Sequence, residues 1–243
     1  MDLGIEGRRA LITGSTAGIG LAAARALVKE GARVVVNGRT QARVDASVKT
    51  LRTEFPGAHV GGVAADLGTA AGCEEVVDQV PELDILVNSV GIFRPQPFES
   101  ITDADWFRFF ETNVLSGVRL SRHYLPGMRA RNWGRVVFVS SESAVQIPSE
   151  MIHYGMTKTA QLAIARAALE LIRRHVMTET QCFEKVLIDD VRPGRDDRVN
   201  HVVADHVDED LFEPRADQRA GQTKDHAAVA VAEHALVDVC RTV

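Results

Sequence analysis

The 243-residue sequence predicts an α/β fold, a single domain built on one doubly wound parallel sheet. Three observations predict it. Short β-branched runs alternate along the chain with Ala- and Leu-rich segments, the order that builds a parallel sheet covered on both faces. A glycine-rich turn, Gly14-Ser15-Thr16-Ala17-Gly18-Ile19-Gly20, joins the first run to the first such segment. The composition, 45% hydrophobic and 25% charged, is that of an ordinary globular domain, long enough for one buried core and too short for a two-domain plan.

The elements follow in order. Arg9 to Thr13 reads as a first strand, and Leu21 to Lys29 as a helix that Gly31 stops. Arg33 to Asn37 carries a Val-Val-Val run and reads as a buried parallel strand, completing a βαβ unit. The alternation continues with a helix over 42–53, a strand over 59–65, a helix over 71–79 and a fourth strand, Asp84 to Asn88. A long helix is expected from Asp103 to Arg122, a fifth strand from Arg135 to Ser140, and a helix through Tyr154 to about Arg173. In such a fold ligands bind at the C-terminal ends of the strands.

Charge and cysteine content narrow the function classes. A net charge of −5, with no basic stripe interleaved with aromatics, argues against a nucleic-acid partner. Cys73, Cys182 and Cys240 are odd in number and lack metal-ligand spacing, as expected of free thiols in a reducing compartment. The start of the chain lacks the basic-then-apolar order of a signal peptide, and no apolar run reaches the length of a membrane span. Cytoplasm is the expected location. His201, His206, His226 and His234 match neither a helical His pair nor a zinc knuckle, so no metal site is expected.

The motifs carry the chemistry. Gly14, Gly18 and Gly20 permit a tight turn and a close backbone approach where a strand opens into a helix, the place where a dinucleotide pyrophosphate docks. Tyr154 and Lys158 stand at i and i+4, on one helix face, so an ammonium can lie beside a phenol and favour its phenolate. A free phenol has a pKa of about 10, so acid–base work near neutrality asks for a depression of up to roughly three units. Ser141 lies thirteen residues before the tyrosine, after the fifth strand. Ser140 and Ser143 flank it, so the serine assignment can slip by a residue or two.

Taken together, the G-x-x-x-G-x-G turn, Tyr154-Gly-Met-Thr-Lys158 and Ser141 resemble the short-chain dehydrogenase/reductase family, classical type, over about residues 5–172. The resemblance implies a Rossmann-type fold and transfer of a hydride between NADP(H) or NAD(H) and a carbonyl or secondary alcohol, a 3-oxoacyl or other ketone for example. It implies that Tyr154 is the acid–base group, that Ser141 donates to the same substrate oxygen, and that Lys158 assists Tyr154 and binds the nicotinamide ribose. Asn113, in Glu111-Thr-Asn-Val-Leu115, is implied to hold with its backbone and amide a water that connects to Lys158. The cofactor-binding set implied is Gly14, Ser15, Thr16, Gly18, Ile19, Gly20, Arg39, Asp66, Leu67, Asn88, Gly91, Tyr154 and Lys158. Asn88-Ser-Val-Gly91 departs at its two middle positions from the family's Asn-Asn-Ala-Gly. Gly38 stands where NAD-specific members carry Asp, and Arg39 can reach a 2′-phosphate, so NADP(H) is the expected preference, with NAD(H) an alternative. A homo-oligomer, dimer or tetramer, built through the helices of Asn113 and Tyr154 is likewise implied. The substrate is not specified; segments 92–98 and 144–152 are expected to border its pocket.

After about residue 174 the likeness fails, which divides the chain into a cofactor-binding and catalytic core, 1–174, and an atypical segment, 175–243. Lys185 to Gly194 imitates the family's sixth strand, but late and with Asp189 and Asp190 at core positions. From His175 onward 8 basic residues face 15 acidic ones, and Gly194 and Gly221 are the only glycines. Completeness of the sheet's C-terminal edge therefore stays open. A divergent lid, loss of the C-terminal third and a shift of reading frame compete, and a frame shift is the favoured expectation. The alternative function is a catalytically impaired homologue that keeps only its cofactor-binding half.

Overall fold

The structure, a computed structural model, describes residues 3–175. The expectations for 176–243, including the sixth-strand segment and the reading-frame question, lie outside the described residues.

Five parallel strands form one sheet: β1 (Arg9–Ile12), β2 (Arg33–Gly38), β3 (Val60–Ala64), β4 (Ile85–Asn88) and β5 (Arg135–Phe138), in the order β3-β2-β1-β4-β5. The chain runs outward from β1 to β3 and then crosses back to pair β4 with β1, Ala10 facing Ile85 and Ile12 facing Val87. That reversal opens a crevice at the C-terminal ends of β1 and β4. Successive strand residues feed opposite faces. Ala10, Ile12, Val34, Val36, Ile85 and Val87 join one core, with Ala23, Leu27, Val44 and Leu51 of helices α1 (Gly18–Lys29) and α2 (Gln41–Glu54). Leu11 and Leu86 join the other, with Cys73 and Val76 of α3 (Ala70–Gln79) and Leu120, Tyr124 and Met128 of a later helix. Both faces of β1 and β4 are thus dry, which is why their sequences are continuously apolar rather than alternating.

The predicted long helix is three pieces. α4 (Asp103–Phe110) starts at a reciprocal cap, Thr102 accepting from the Asp105 backbone N–H while the Asp105 carboxylate accepts from that of Thr102. A π turn, Glu111–Leu115, follows and leads into α5 (Ser116–Ala130). The helix runs past the expected end at Arg122 and through Pro126, and stops where Asn132 adopts a left-handed conformation. Gly117 lets α5 descend onto the sheet: a Cβ there would lie 2.6 Å from the Phe138 ring and 3.3 Å from the Asn88 amide carbon. After β5, two short 3-10 turns lead into α6 (Ile152–His175), which packs beside α4 and the π turn.

Candidate active site

The glycine turn is held from beneath. Asn37, at the end of β2, accepts from the Gly14 N–H at 3.2 Å through its side-chain oxygen and donates to the carbonyls of Val63 and Ala65, each at 3.2 Å. Ser15 is fully buried; its hydroxyl donates to Ile12 O at 2.6 Å and accepts from the Asn37 N–H at 2.9 Å, and its own N–H donates to Asn37 O. The Ser15 hydroxyl and N–H are thus bonded inside the fold, where they support the turn. Above it, Gly14 and Gly18 have φ of 61° and 54°, and a Cβ on Gly20 would lie 2.6 Å from Gly14 O. The N-terminus of α1 has no side-chain cap, and there is open space where Gly18 lacks a side chain. Uncapped N–H groups facing an open, glycine-lined concavity fit a dinucleotide pyrophosphate. Ile19, 44% exposed, stands at its rim.

The ends of the next strands continue the groove. Gly38 closes β2 with the Thr16 side chain where its own Cβ would be, and Arg39, exposed beyond it, makes no hydrogen bond or ion pair among the described residues. Asp66 follows β3, exposed, one carboxylate oxygen accepting from the Gly68 N–H at 3.0 Å. Leu67 has its side chain in the core and its carbonyl facing the Cys73 thiol, which leaves its N–H for a ligand. Thr13 holds the start of the loop after β4, its hydroxyl accepting from the N–H groups of Ser89 and Val90 at 2.8 and 3.0 Å. Asn88 is buried with neither end of its amide bonded to protein, and Gly91 is exposed, its missing Cβ 3.8 Å from Lys158 Nζ. An unpaired buried amide beside an open glycine fits a polar ring lying across the end of β4.

Ser141, Tyr154, Lys158 and Asn113 converge at the end of β5. The Ser141 hydroxyl oxygen accepts from the Ser143 N–H at 3.2 Å. Lys158 Nζ is 5.6 Å from the centroid of the Tyr154 ring and donates to Val139 O at 2.9 Å and to Gln161 Oε1 at 3.1 Å. Burial raises the Tyr154 pKa, opposed by the Ser141 side chain. Burial also lowers the Lys158 ammonium, to about 8. Phe93 stands edge-on to Tyr154 at 6.2 Å and is exposed, as are Val145 and Ile147. The two segments that bear these apolar side chains are tied by Gln96 N–H donating to Glu150 O at 2.7 Å.

Asn113 sits in the π turn, 1% exposed. Its amide nitrogen donates to Ile92 O at 2.9 Å and Thr157 Oγ at 3.0 Å, and its amide oxygen accepts from the Ile92 N–H at 2.7 Å. Its backbone carbonyl accepts from Gln161 Nε2 at 2.6 Å. Protein partners thus fill the Asn113 amide, and Gln161 occupies one side of its carbonyl. Gln161 and Asn37 are the residues that sequence reasoning missed. A polar residue three positions after Lys158, on the same helix face, was the available signal for Gln161. Among the described residues no group of three His, Cys, Asp or Glu could hold a metal, and no helix is long and apolar enough to cross a membrane.

The short chain dehydrogenase family profile matches residues 8–182. The chain is 48% identical over 171 residues to the uncharacterized oxidoreductase YvaG of Bacillus subtilis (strain 168), covering 70% of this chain and 65% of that one. To YvrD of the same organism it is 44% identical over 176 residues, 71% and 66% of the two chains. It therefore spans just under two thirds of either relative. D-beta-hydroxybutyrate dehydrogenase of Cupriavidus necator is 32% identical over 183 residues, 73% of this chain and 70% of that one. Among solved structures, L-sorbose reductase from Gluconobacter frateurii complexed with NADPH and L-sorbose superposes with a TM-score of 0.67 at 36% identity, over 71% of this chain and 67% of that one. The 3-oxoacyl (acyl-carrier-protein) reductase from Agrobacterium tumefaciens with NADP bound does so with a TM-score of 0.67 at 29% identity, over 70% and 67%. With its parallel five-stranded sheet, its glycine turn and a family match over most of its length, the chain belongs to the short-chain dehydrogenase/reductase family.

Proposed function

We propose that this protein is an NADP(H)-dependent oxidoreductase that interconverts a carbonyl and a secondary alcohol. The observation that carries the reading is Lys158 Nζ 5.6 Å from the centroid of the Tyr154 ring, with the Ser141 side chain acting on the same phenol, at the C-terminal ends of the strands and next to the open glycine turn. Gly14, Gly18 and Gly20 would receive the pyrophosphate, Asp66 the adenine, and Asn88, Gly91 and Lys158 the nicotinamide end. When bound, the dinucleotide supplies or accepts the hydride. Tyr154 gives its phenol proton to the carbonyl oxygen in reduction and takes the alcohol proton in oxidation, while Ser141 donates a hydrogen bond to that oxygen as charge builds on it. Lys158 supplies the nearby positive charge. Burial keeps the phenol neutral in the free chain, which suits it to begin as an acid.

Preference for NADP(H) rests on two features. A carboxylate at 38 would need Thr16 displaced, and Arg39 is free to meet a 2′-phosphate. Relatives of known structure bound to NADPH or NADP point the same way. The long helices make a homo-oligomer the expected assembly, and cytoplasm remains the proposed location.

The test is NADPH oxidation by the full chain over a panel of neutral ketones and aldehydes. Tyr154→Phe is expected to lower turnover by about 10²–10⁴-fold or more with NADPH affinity unchanged. Substantial surviving turnover would remove Tyr154 from the mechanism.

A further inference from the structure

Lys158 is the most demanding residue of the site, a buried cation with no carboxylate partner among the described residues. It is only 5% exposed, yet it must stay charged and aimed at Tyr154 if the function proposed above is right. An uncompensated buried ammonium costs several kcal/mol and tends to lose its proton. What opposes that here is two oxygen acceptors, Val139 O from the end of β5 and Gln161 Oε1 from one turn along α6.

The second acceptor is itself held. Gln161 is 1% exposed, and its amide nitrogen donates to Asn113 O at 2.6 Å. A primary amide whose nitrogen is fixed on a carbonyl must point its oxygen the other way, so the π turn sets the orientation of the Gln161 dipole and that dipole faces Lys158. The chain of contacts runs Asn113 O, Gln161 amide, Lys158 Nζ, Tyr154 ring.

We propose that Gln161 is a positioning residue for Lys158, its amide bridging the Asn113 carbonyl and the ammonium so that the charge is both retained and directed at Tyr154. Other charges around Lys158 are few or committed. Tyr154 shares its helix; Glu111 of the π turn pairs with Arg119, and Asp105 of α4 with Arg94 and Thr102. Glu142 and Glu150 in the adjoining loops are exposed, and Arg135 of β5 lies against Trp133. Burial lowers the Lys158 pKa to about 8 in the free chain.

The experiment compares wild type, Gln161→Leu and Gln161→Glu as full chains, each with lysine labelled at Cε and titrated by NMR. The Lys158 signal is identified by its loss in Lys158→Met, and only Lys29, Lys49, Lys185 and Lys224 compete with it. Gln161→Leu removes the acceptor and is expected to lower the Lys158 pKa by about one unit, whereas Gln161→Glu places a carboxylate there and is expected to raise it by at least as much. The alkaline limb of the kcat profile for ketone reduction should move in the same two directions, with KM for NADPH changed less than threefold. Opposite shifts support the proposal, since a purely structural role moves both variants the same way. Unchanged or parallel titrations overturn it, and if Gln161→Leu does not fold, the direction of the Gln161→Glu shift decides alone. Because the titration needs no turnover, a chain that shows the two shifts but reduces no ketone sinks the proposed function and leaves the role of Gln161 standing.

Discussion

His153 precedes Tyr154 on α6, and its ring packs against the aromatic side chains of α4. It is 0% exposed, its ring centroid is 3.9 Å from that of Phe109 and 6.0 Å from that of Trp106, and neither ring nitrogen has a hydrogen-bond partner. Burial lowers its pKa, the Arg94 guanidinium lowers it further, and Asp105 opposes both. Its folded pKa thus lies below the unfolded value of about 6.5. Above pH 6.5 both states hold a neutral ring; below it the unfolded chain takes up a proton that the native chain refuses, so stability falls as pH drops toward the folded pKa. His153→Leu, of similar volume, should stabilise the chain by about 1–3 kcal/mol at pH 7.5 by removing unpaired buried nitrogens. Its advantage should grow by up to about 1.4 kcal/mol for each pH unit below 6.5. Thermal midpoints of the two chains at pH 7.5 and 5.5 measure this, and an advantage that stays constant would mean the ring finds a proton acceptor in the fold. From the sequence this histidine reads as a pocket wall or surface residue, because nothing local tells that α4 lays two aromatic rings over it.

At the scale of elements, the glycine turn and the π turn do the positioning, and they differ in how they can be tested and read. Gly20 lies where α1 passes over the Gly14 carbonyl, and the atoms its Cβ would meet are backbone: Gly14 O at 2.6 Å and Ser15 Cα at 3.0 Å. Neither can give way without lifting α1 from β1. Gly20→Ala should therefore cost about 1–3 kcal/mol and weaken NADPH binding at least tenfold, while Gly61→Ala in β3, with open space around it, should change neither. Denaturant midpoints and a cofactor titration check the pair, and equal effects at both positions would mean that the turn tolerates a side chain. The turn was legible in the sequence because glycine is an unambiguous sign of close approach. The π turn was not. Thr112, Asn113 and Val114 are weak helix formers, yet the apolar pattern predicts one continuous helix, and the register change shows only once Asn113 is seen bonded to both Ile92 and Gln161. Pro126 misleads in the other direction, suggesting a stop near Arg122 where packing of Tyr124 and Met128 onto the sheet carries the helix through.

For the molecule as a whole, the doubly wound parallel sheet was readable, because β-branched runs alternating with helices build one; the strand order was not, since the same alternation serves more than one order, and side-chain allegiance also escaped, as with Ser15 and Leu67, whose side chains turn inward. The same topology makes cofactor binding a test of the entire fold. β1, β2, β3 and β4 each end at the groove, through Gly14, Gly38, Asp66 and Asn88, and α6 adds Lys158. A ligand spanning these ends joins segments from residue 14 to residue 158, so it is released only when the sheet comes apart, and its binding energy appears in the global unfolding transition. At about a hundred times its dissociation constant NADPH should add about 2.7 kcal/mol, which for a domain of this size raises the midpoint by roughly 5 to 10 °C. NADH at the same concentration should raise it less, since Arg39 then has no phosphate to meet. Arg39→Asp should reverse the order of the two cofactors, the new carboxylate repelling the 2′-phosphate and accepting from a free ribose hydroxyl instead. An unchanged order in that variant would show that Arg39 does not reach the phosphate, and a cooperative transition indifferent to both cofactors would leave a folded family member without the proposed activity.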